Sequence, residues 1–287
     1  MSIPMMKAPA VKGPASNARS RRPSPLHLIL LPLSLVMVAP LAWMVLLSIS
    51  TQAETRRFPP GLPSGVRWQN YTDALNSAPL GQWLGNSAIV SISCVIGNLV
   101  FCSLAGYAFA RIRFLGSKAL FIAVLATLMV PFQIVMLPTL IMVRAVGLTD
   151  TLGALIVPNL ATAFGIFLLR QFFLTVPKEL EEAARIDGAR RLRILFQVFL
   201  PLMRPTLATL AVLTFLQTWN DFLWPLIAVQ NPEHMTVQIG LQTFQGSHRT
   251  DWPRLMAGTV ISQLPVFVLF FVAQRFFVRS VATAGLK

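Results

Sequence analysis

Charged residues are scarce in this sequence. They make up 12% of the 287 residues, whereas soluble domains carry about 25%. A chain with so few charges cannot cover a surface that faces water. Most of its hydrophobic residues, which account for 55% of the chain, must therefore face lipid or other apolar helices. This shortage excludes an ordinary soluble globular protein.

Acidic residues are the rarer charged class, with 10 Asp and Glu against 24 Lys and Arg and a formal net charge of +14. On a soluble protein such an excess would suggest nucleic acid as a partner. Here the basic residues lie in short segments beside long apolar runs, which is typical of orientation in a membrane. We therefore expect a lipid bilayer around the chain and no nucleic acid partner.

Residues that could carry chemistry are also few. Cys94 and Cys102 lie eight positions apart in one apolar run, too far apart on a straight helix to form a disulfide. The sequence contains no Gly-x-x-x-x-Gly-Lys-Ser/Thr phosphate-binding loop, no His-Glu-x-x-His pair and no convincing pair of nucleophile and base. We predict no catalytic residue, no metal site and no cofactor in this chain, and so no enzyme.

Six apolar runs follow a basic N-terminal segment. Residues 1–25 are rich in Pro, Ser, Lys and Arg, which predicts a disordered tail. Each run has about the 20 residues that a helix needs to cross a bilayer, and backbone groups in lipid must pair within the helix. The sequence predicts an all-α polytopic membrane protein with six transmembrane helices in one domain, residues 26–287. The runs lie at about 26–49, 86–110, 119–142, 152–174, 205–229 and 256–278.

The basic residues also predict the orientation of these six spans. If the N-terminus is cytoplasmic, 18 of the 24 Lys and Arg lie on the inner side of the membrane. Such an excess in cytoplasmic loops is the pattern that orients membrane proteins. We predict that both termini are cytoplasmic, which also places the charged segment at about 175–204 in the cytoplasm. The 6 basic residues on the outer side are Arg56, Arg57, Arg67, Arg144, Arg249 and Arg254.

The charged segment predicts a short helix outside the membrane. Pro177 suits the first turn of a helix, and the glutamates that follow complement the helix dipole. Arg185 lies four residues after Glu181 and three after Glu182, spacings at which ion pairs support a helix. Gly188 is well placed to end the helix. On charge alone, the better interpretation is a solvated helix with no partner.

The spacing within this segment favours a different interpretation. Glu182-Ala183-Ala184 precedes Gly188 by three residues, and Val198 precedes Leu200-Pro201 by one residue. This pattern resembles the EAA loop of ABC importer permeases, with valine where isoleucine is usual. The resemblance implies that the loop carries a coupling helix that docks into an ATP-binding subunit. The residues it implies for ATPase coupling are Glu181, Glu182, Ala183, Ala184, Arg185, Asp187 and Gly188.

Other stretches are similar to the sugar-importer permeases of the maltose-transport type. They include Trp219–Pro225 in the fifth run, and Asn86-Ser87 and Gly106–Arg111 in the second. The resemblance implies a type I importer permease in the bacterial inner membrane that moves a sugar or related polyol by alternating access. The partners it implies are a second permease in a heterodimer, two ATP-binding subunits that hold ATP and Mg, and an extracytoplasmic solute-binding protein.

Polar side chains within the apolar runs are candidates for a solute pathway. Asp221 lies near the middle of the fifth run, where a carboxylate costs roughly 2.5–3.5 kcal/mol and should face a cavity or a partner. Helical spacing places Gln217, Asn220 and Trp224 on the same face as Asp221, and a polar and aromatic face suits sugar recognition. Two further candidates adjoin prolines in the third and fourth runs: Gln133 and Asn159.

Two alternatives stay open at this point. Polar side chains in membrane helices also hydrogen-bond between neighbouring spans, and packing or gating is the favoured role for Gln133 and Asn159. A stand-alone secondary transporter or channel, with Asp221 as an ion-coupling site, would explain the spans but not the Glu-Ala-Ala spacing.

Overall fold

The computed structural model describes residues 27–57, 61–246 and 250–284. The predicted disordered tail at residues 1–25 lies outside this part of the chain. Contacts divide the chain into two compact units, with the boundary between Trp43 and Met44. The described secondary structure is helical apart from one isolated β-bridge, so the all-α prediction is confirmed.

The described residues form fifteen α-helices. In chain order they are α1 (His27–Ser48), α2 (Gln69–Ser77), α3 (Leu80–Gly97), α4 (Ser103–Arg111), α5 (Ser117–Thr127), α6 (Phe132–Ala145), α7 (Leu152–Ile156), α8 (Ala163–Thr175), α9 (Lys178–Ile186), α10 (Arg191–Ile194), α11 (Leu200–Leu202), α12 (Arg204–Trp219), α13 (Leu223–Ala228), α14 (Val237–Gly240) and α15 (Trp252–Ala284). Two π-helical turns, at Asn98–Cys102 and Leu195–Phe199, continue α3 into α4 and α10 into α11.

Within the described ranges, four helical segments are long and apolar enough to cross a bilayer, and the number rises to six if each of two bent pairs counts as one span. One pair is α5 with α6, bent by 105°, and the other joins Arg191–Leu202 to α12 at 84°. The second span begins at Leu80, six residues before the predicted start. The four long segments are Leu28–Ser48, Leu80–Arg111, Leu152–Thr175 and Trp252–Gln274.

Three predicted spans are interrupted, and each interruption lies beside a proline. Pro131 separates α5 from α6, Pro158 follows α7, and Pro225 follows the end of α12. Proline donates no backbone hydrogen bond, and its ring clashes with the carbonyl four residues earlier. Composition predicts an apolar run of the right length at each place, but it does not predict that the helix is broken there.

The second and fourth spans approach each other closely through glycines. A Cβ atom built on Gly97 would lie 2.5 Å from Leu160 Cδ2, and one on Gly165 would lie 2.8 Å from Cys102 Sγ. Small residues at such contacts let helix backbones come together in a membrane. Cys102 is thus a buried packing residue.

Loops cover one end of the second unit. The Gln52 amide donates to the Thr250 carbonyl at 2.7 Å, and the Asn86 amide donates to the Glu233 carbonyl at 2.8 Å. Helix α2, which follows Trp68, also lies at this end. The charged segment lies at the other end, beyond Arg111, where the second span finishes.

Candidate functional site

Helix α9 is the predicted coupling helix. It runs from Lys178 to Ile186, and Pro177 occupies the position before its first turn. Glu179 and Glu181 lie in the first turn and Arg185 in the last, so the charges complement the helix dipole at both ends. The predicted helix is confirmed to within one residue at each end.

Gly188 ends α9 as the sequence predicts. Its φ angle is +79°, a left-handed conformation that glycine adopts without steric cost. The Gly188 amide donates to the Arg185 carbonyl at 3.0 Å, and the Ala189 amide donates to the Ala184 carbonyl at 2.9 Å. These two bonds form a Schellman motif that satisfies the last carbonyls of the helix.

Gly188→Val should fray the end of α9. A Cβ atom at this position would meet nothing within 4 Å, so the cost comes from the backbone and should be about 1–2 kcal/mol. We expect amide exchange at Ala189 to accelerate about tenfold in hydrogen–deuterium exchange, because its bond closes the motif. Gly188→Asn tolerates the left-handed conformation and is the matched control. Equal exchange in both variants would contradict this account.

Glu181 turns inward from α9. Its side chain is only 7% exposed, and Oε1 forms an ion pair with Arg185 at 2.5 Å. The Tyr107 hydroxyl donates to the same oxygen at 3.4 Å, and the other oxygen lies 3.9 Å from Arg111 Nε. A carboxylate is retained in such surroundings when it is paired and hydrogen-bonded. Glu181 therefore connects α9 to the second span.

Arg111 fixes the end of the second span to the end of the fourth. Its side chain is 5% exposed, and Nη2 donates to the carbonyls of Phe173 and Val176. A cation favours the C-terminal end of a helix, where carbonyls lack partners within the helix. The guanidinium also lies 5.2 Å from the centre of the Phe199 ring.

Three aromatic rings pack beneath the ion pair that Glu181 forms with Arg111. Tyr107 lies 5.6 Å from both Phe173 and Phe199, and those two rings are 5.4 Å apart, measured between ring centres. The rings come from the second span, the fourth span and the π-helical turn after α10. Through Tyr107, Glu181 is therefore in contact with a cluster built from three elements of the membrane domain.

The opposite face of α9 is exposed. Glu182 and Ala183 face solvent, and the Ile186 side chain is 86% exposed. Ala184, by contrast, packs against the aromatic core. Among the described ion pairs, Arg185 binds Glu181 and not Glu182, so the second predicted pair is not formed. The exposed face leaves Glu182 accessible to another protein.

The fifth span does not form the continuous helical face that the spacing predicts. Helix α12 ends at Trp219, and a new helix begins at Leu223. Trp224 is 1% exposed, its indole N–H donates to the Ala154 carbonyl at 3.1 Å, and its ring centre lies 6.1 Å from that of Phe132. The prediction of one shared face is wrong because the break redirects Trp224 into the protein core.

Trp224 instead brings the three interrupted spans together. Its partners Phe132 and Ala154 lie beside the breaks in the third and fourth spans. Asp221 Oδ1 lies 3.4 Å from the Trp224 amide N–H, a hydrogen bond across the break in the fifth span. Asn159, Asn220 and Asp221 therefore lie on irregular backbone, which membranes tolerate where it is buried or lines a cavity.

The remaining pathway candidates differ in exposure. Gln133, Gln217 and Asn220 are exposed, while Asp221 and Asn159 are partly buried. The Asn159 amide donates to the Leu155 carbonyl at 2.9 Å. Solute contact by any of these residues stays a prediction.

Asn98 is a polar residue that the sequence interpretation missed. It is fully buried in the first π-helical turn. Its amide donates to the Asn159 carbonyl at 2.7 Å, and its oxygen accepts from the Thr162 hydroxyl at 2.8 Å. These bonds satisfy the broken backbone of the fourth span. The available signal was an asparagine inside an apolar run, which requires partners in a membrane.

The Asn86-Ser87 pair, noted above for its resemblance, holds the loop that precedes α15. The Asn86 amide donates to the carbonyls of Glu233 and Met235, and the Ser87 hydroxyl accepts from the Val237 amide. Gly240 lies against the Trp83 ring, where a Cβ atom would come within 2.1 Å of ring carbon Cε3. The start of the second span thus fixes the loop in position.

Two carboxylates lie on loops at the same end of the second unit as Asn86, and hydrogen bonds hold both of them ionised. Asp150 accepts from the amides of Asn231 at 2.8 Å and Gln230 at 2.9 Å, which lowers its pKa. The Ser64 hydroxyl, followed by the Thr51 amide, lowers the pKa of Glu54 to about 2. Both groups fix loop geometry because a carboxylate that accepts such bonds favours its charged form.

Comparison of the sequence with known proteins identifies relatives of this chain. Residues 98–283 match the family described as binding-protein-dependent transport system inner membrane component. The arabinooligosaccharides transport system permease protein AraQ of Halalkalibacterium halodurans is 37% identical over 89% of this chain and 93% of its own length. The sn-glycerol-3-phosphate transport system permease protein UgpE of Pectobacterium atrosepticum is 34% identical over 76% of this chain and 80% of its own.

Solved structures share the fold. A bacterial ABC transporter involved in the import of the acidic polysaccharide alginate contains a chain with a TM-score of 0.77 at 25% identity. The match covers 88% of this chain and 95% of that one. A chain of the MetNI methionine ABC transporter, in an inward facing conformation, has a TM-score of 0.55 at 20% identity over 70% and 95% of the two chains.

Proposed function

Because the chain belongs to the family of binding-protein-dependent transport system inner membrane components, it is a transport subunit rather than an enzyme, and we propose that its solute is a sugar or a related polyol. The observation that carries the proposal is the similarity of nearly the whole chain to permeases named for arabinooligosaccharides. A relative named for sn-glycerol-3-phosphate supports the wider class of polyols and their derivatives.

The subunit lies in the inner membrane, and its orientation is part of the proposal. The excess of basic residues at the end that carries α9 favours that end as cytoplasmic. Both termini are then cytoplasmic, and the loops around Asn86 and Glu233 face the other side. A solute-binding protein would dock on that outer face.

The assembly includes a second permease as a heterodimer partner and two ATP-binding subunits, which hold ATP and Mg. The exposed face of α9, with Glu182, Ala183 and Ile186, is the surface that would enter the ATP-binding subunit. Small and acidic side chains suit this role, because they let the helix sit deep in a cleft. Asp187 and Gly188 complete the exposed end of the helix.

Coupling follows from the two faces of α9. Its exposed face follows the ATP-binding subunits as they close and open. Its buried face moves Arg111 and the aromatic rings through Glu181, and so moves the ends of the second and fourth spans. The interrupted spans then rearrange near Trp224. As a result, the cavity through which the solute passes opens alternately to each side of the membrane.

Gln217, Asn220 and Asp221 are the proposed solute contacts of this subunit. Gln217 and Asn220 are exposed within the subunit, and Asp221 lies on the irregular backbone beside them. Sugar hydroxyls need donors and acceptors of this kind. Gln133 and Asn159 lie near the other breaks and are assigned to gating and packing.

The test is reconstitution in proteoliposomes of the chain together with the transport proteins whose genes neighbour its own. We expect it to co-purify with a second permease and an ATP-binding subunit, and to take up a labelled sugar only when ATP and the binding protein are present. Competition by unlabelled pentose and hexose oligosaccharides and by glycerol phosphates would define the solute class. Uptake by the chain alone, driven by an ion gradient, would favour the secondary transporter with Asp221 as the coupling site.

A further inference from the structure

A charged cavity of about 450 Å³ lies beside α9. The end of the second span, the start of the third, the fourth span and α9 itself contribute to its lining. Six basic side chains and two carboxylates face it, so its charge is strongly positive. The basic residues are Arg111, Arg113, Lys118, Arg170, Lys178 and Arg185, and the carboxylates are Glu181 and Glu182.

The two carboxylates do not neutralise this cavity. Glu181 is already bound by Arg185 and lies beside Arg111, so Glu182 is the one carboxylate left for the other four basic side chains of the lining. Arg113 and Lys118 are exposed at the cavity. Clustered cations that exceed the available carboxylates repel one another unless an anion lies between them. The cavity therefore favours an anionic ligand.

A buried donor in the cavity wall also lacks a partner. The Arg111 side chain is 95% buried, and among the described atoms its Nε has no hydrogen-bond acceptor. Arg170 is held at the other wall, with its guanidinium 4.0 Å from the centre of the Phe121 ring. Two arginines fixed in this way present preorganised donors, and guanidinium groups suit the oxygens of a phosphate.

Apolar side chains adjoin the charged lining. Phe114 lines the cavity, and Leu115, the next residue, is fully exposed at the turn between the second and third spans. Leu120 and Ile122, in the first turns of α5, are exposed as well. A free phosphate would make no use of these side chains, whereas the acyl chains of a lipid would cover them.

We propose that this cavity binds the phosphate headgroup of an anionic phospholipid from the cytoplasmic leaflet. The inference rests on the orientation proposed above and is independent of the solute. Basic pockets between transmembrane helices on the cytoplasmic side suit such headgroups, because the phosphate meets several cations while the acyl chains stay in the bilayer. The lipid would lie against α9, with its headgroup near Lys178 and Arg185.

The test compares lipid retention by two double variants of the full chain, purified in complex with its partner permease and ATP-binding subunits. Arg113→Gln with Lys118→Gln removes two exposed cations of the cavity. Arg193→Gln with Arg204→Gln removes two exposed cations outside its lining and is the matched control. Complexes are equilibrated with mixed micelles of phosphatidylglycerol and phosphatidylcholine, and the bound lipids are counted by native mass spectrometry.

We expect the wild type and the control to retain phosphatidylglycerol in preference to phosphatidylcholine. The cavity variant should bind phosphatidylglycerol about 25-fold more weakly, because each cation near an anionic lipid contributes a factor of about five. Inorganic phosphate at millimolar concentration should not displace the lipid. Since binding is measured without transport, failure of this test is distinct from failure of the proposed function.

Three results would overturn the proposal. Equal loss of phosphatidylglycerol from both double variants would indicate general surface charge rather than a site. Displacement of the lipid by inorganic phosphate would assign the cavity to a small free anion. Lipid binding to the isolated chain but not to the complex would show that an ATP-binding subunit fills the cavity.

Discussion

Glu181→Gln should lower the melting temperature of the assembled transporter by about 10 °C. The change leaves the buried Arg111 and the half-exposed Arg185 without their shared carboxylate. Removing one partner of a buried ion pair such as Glu181 with Arg111 costs about 3–5 kcal/mol. ATP hydrolysis should continue while solute uptake falls, because α9 is no longer fixed to the second span. Differential scanning fluorimetry and uptake per ATP hydrolysed measure the two effects.

Glu182→Gln, the same change one residue later, should behave in the opposite way. Glu182 is exposed, so its substitution should leave the melting temperature unchanged within about 1 °C, since surface substitutions seldom exceed about 0.5 kcal/mol. It should instead weaken retention of the ATP-binding subunit during purification. Glu179→Gln, on an exposed residue outside the Glu-Ala-Ala motif, is the control for the loss of one charge from α9.

A double-mutant cycle separates the ion pair from general disruption. Combining Glu181→Gln with Arg111→Gln should cost less than the sum of the single changes, because the second change removes the charge that the first leaves unpaired. Additive losses would refute the idea that Glu181 acts through Arg111. A lower melting temperature for Glu182→Gln would mean that both glutamates are structural.

Asn98→Leu should be the second strongly damaging substitution. It removes the donor to the Asn159 carbonyl and the acceptor of the Thr162 hydroxyl. Each bond between membrane helices is worth about 0.6–1.7 kcal/mol, and the larger side chain must fit a fully buried site, which adds about 1–3 kcal/mol. We expect a total loss of about 3 kcal/mol and a melting temperature lower by roughly 10 °C.

The control for this change is Asn220→Leu. It is the same substitution at an exposed position and should leave the melting temperature of the subunit unchanged, whatever it does to solute uptake. If Asn98→Leu is as stable as the wild type, the polar network does not hold the broken fourth span. Thr162→Ser, which keeps the hydroxyl, should retain most of the stability.

Local sequence determined much of helix α9. The helix limits, the charge order and the role of Gly188 all depend on neighbours within four residues along the chain, and the structure confirms each of them. The number and approximate place of the apolar segments follow from composition for a similar reason, since crossing a bilayer requires about 20 apolar residues in a row.

The interruptions of the spans could be anticipated only in part. Prolines mark positions where a helix loses a hydrogen bond, but Pro138 lies within α6 and Pro265 within α15 without ending either helix. Whether a proline breaks a span depends on which neighbouring groups satisfy the freed backbone. For the fourth span that group is Asn98, which lies about 60 residues away in the sequence.

The sequence by itself determined the family of this protein, its helical membrane-spanning class and the existence of a charged helix with a Glu-Ala-Ala motif. Only the tertiary structure decided which glutamate of that helix is buried, because the choice between Glu181 and Glu182 depends on Tyr107 and Arg111, more than 65 residues earlier. The tertiary structure also shows that Trp224 lies in the core rather than on the predicted solute-facing side of the fifth span. Local pattern specifies periodicity and charge, whereas burial and pairing depend on elements that meet only after the spans pack.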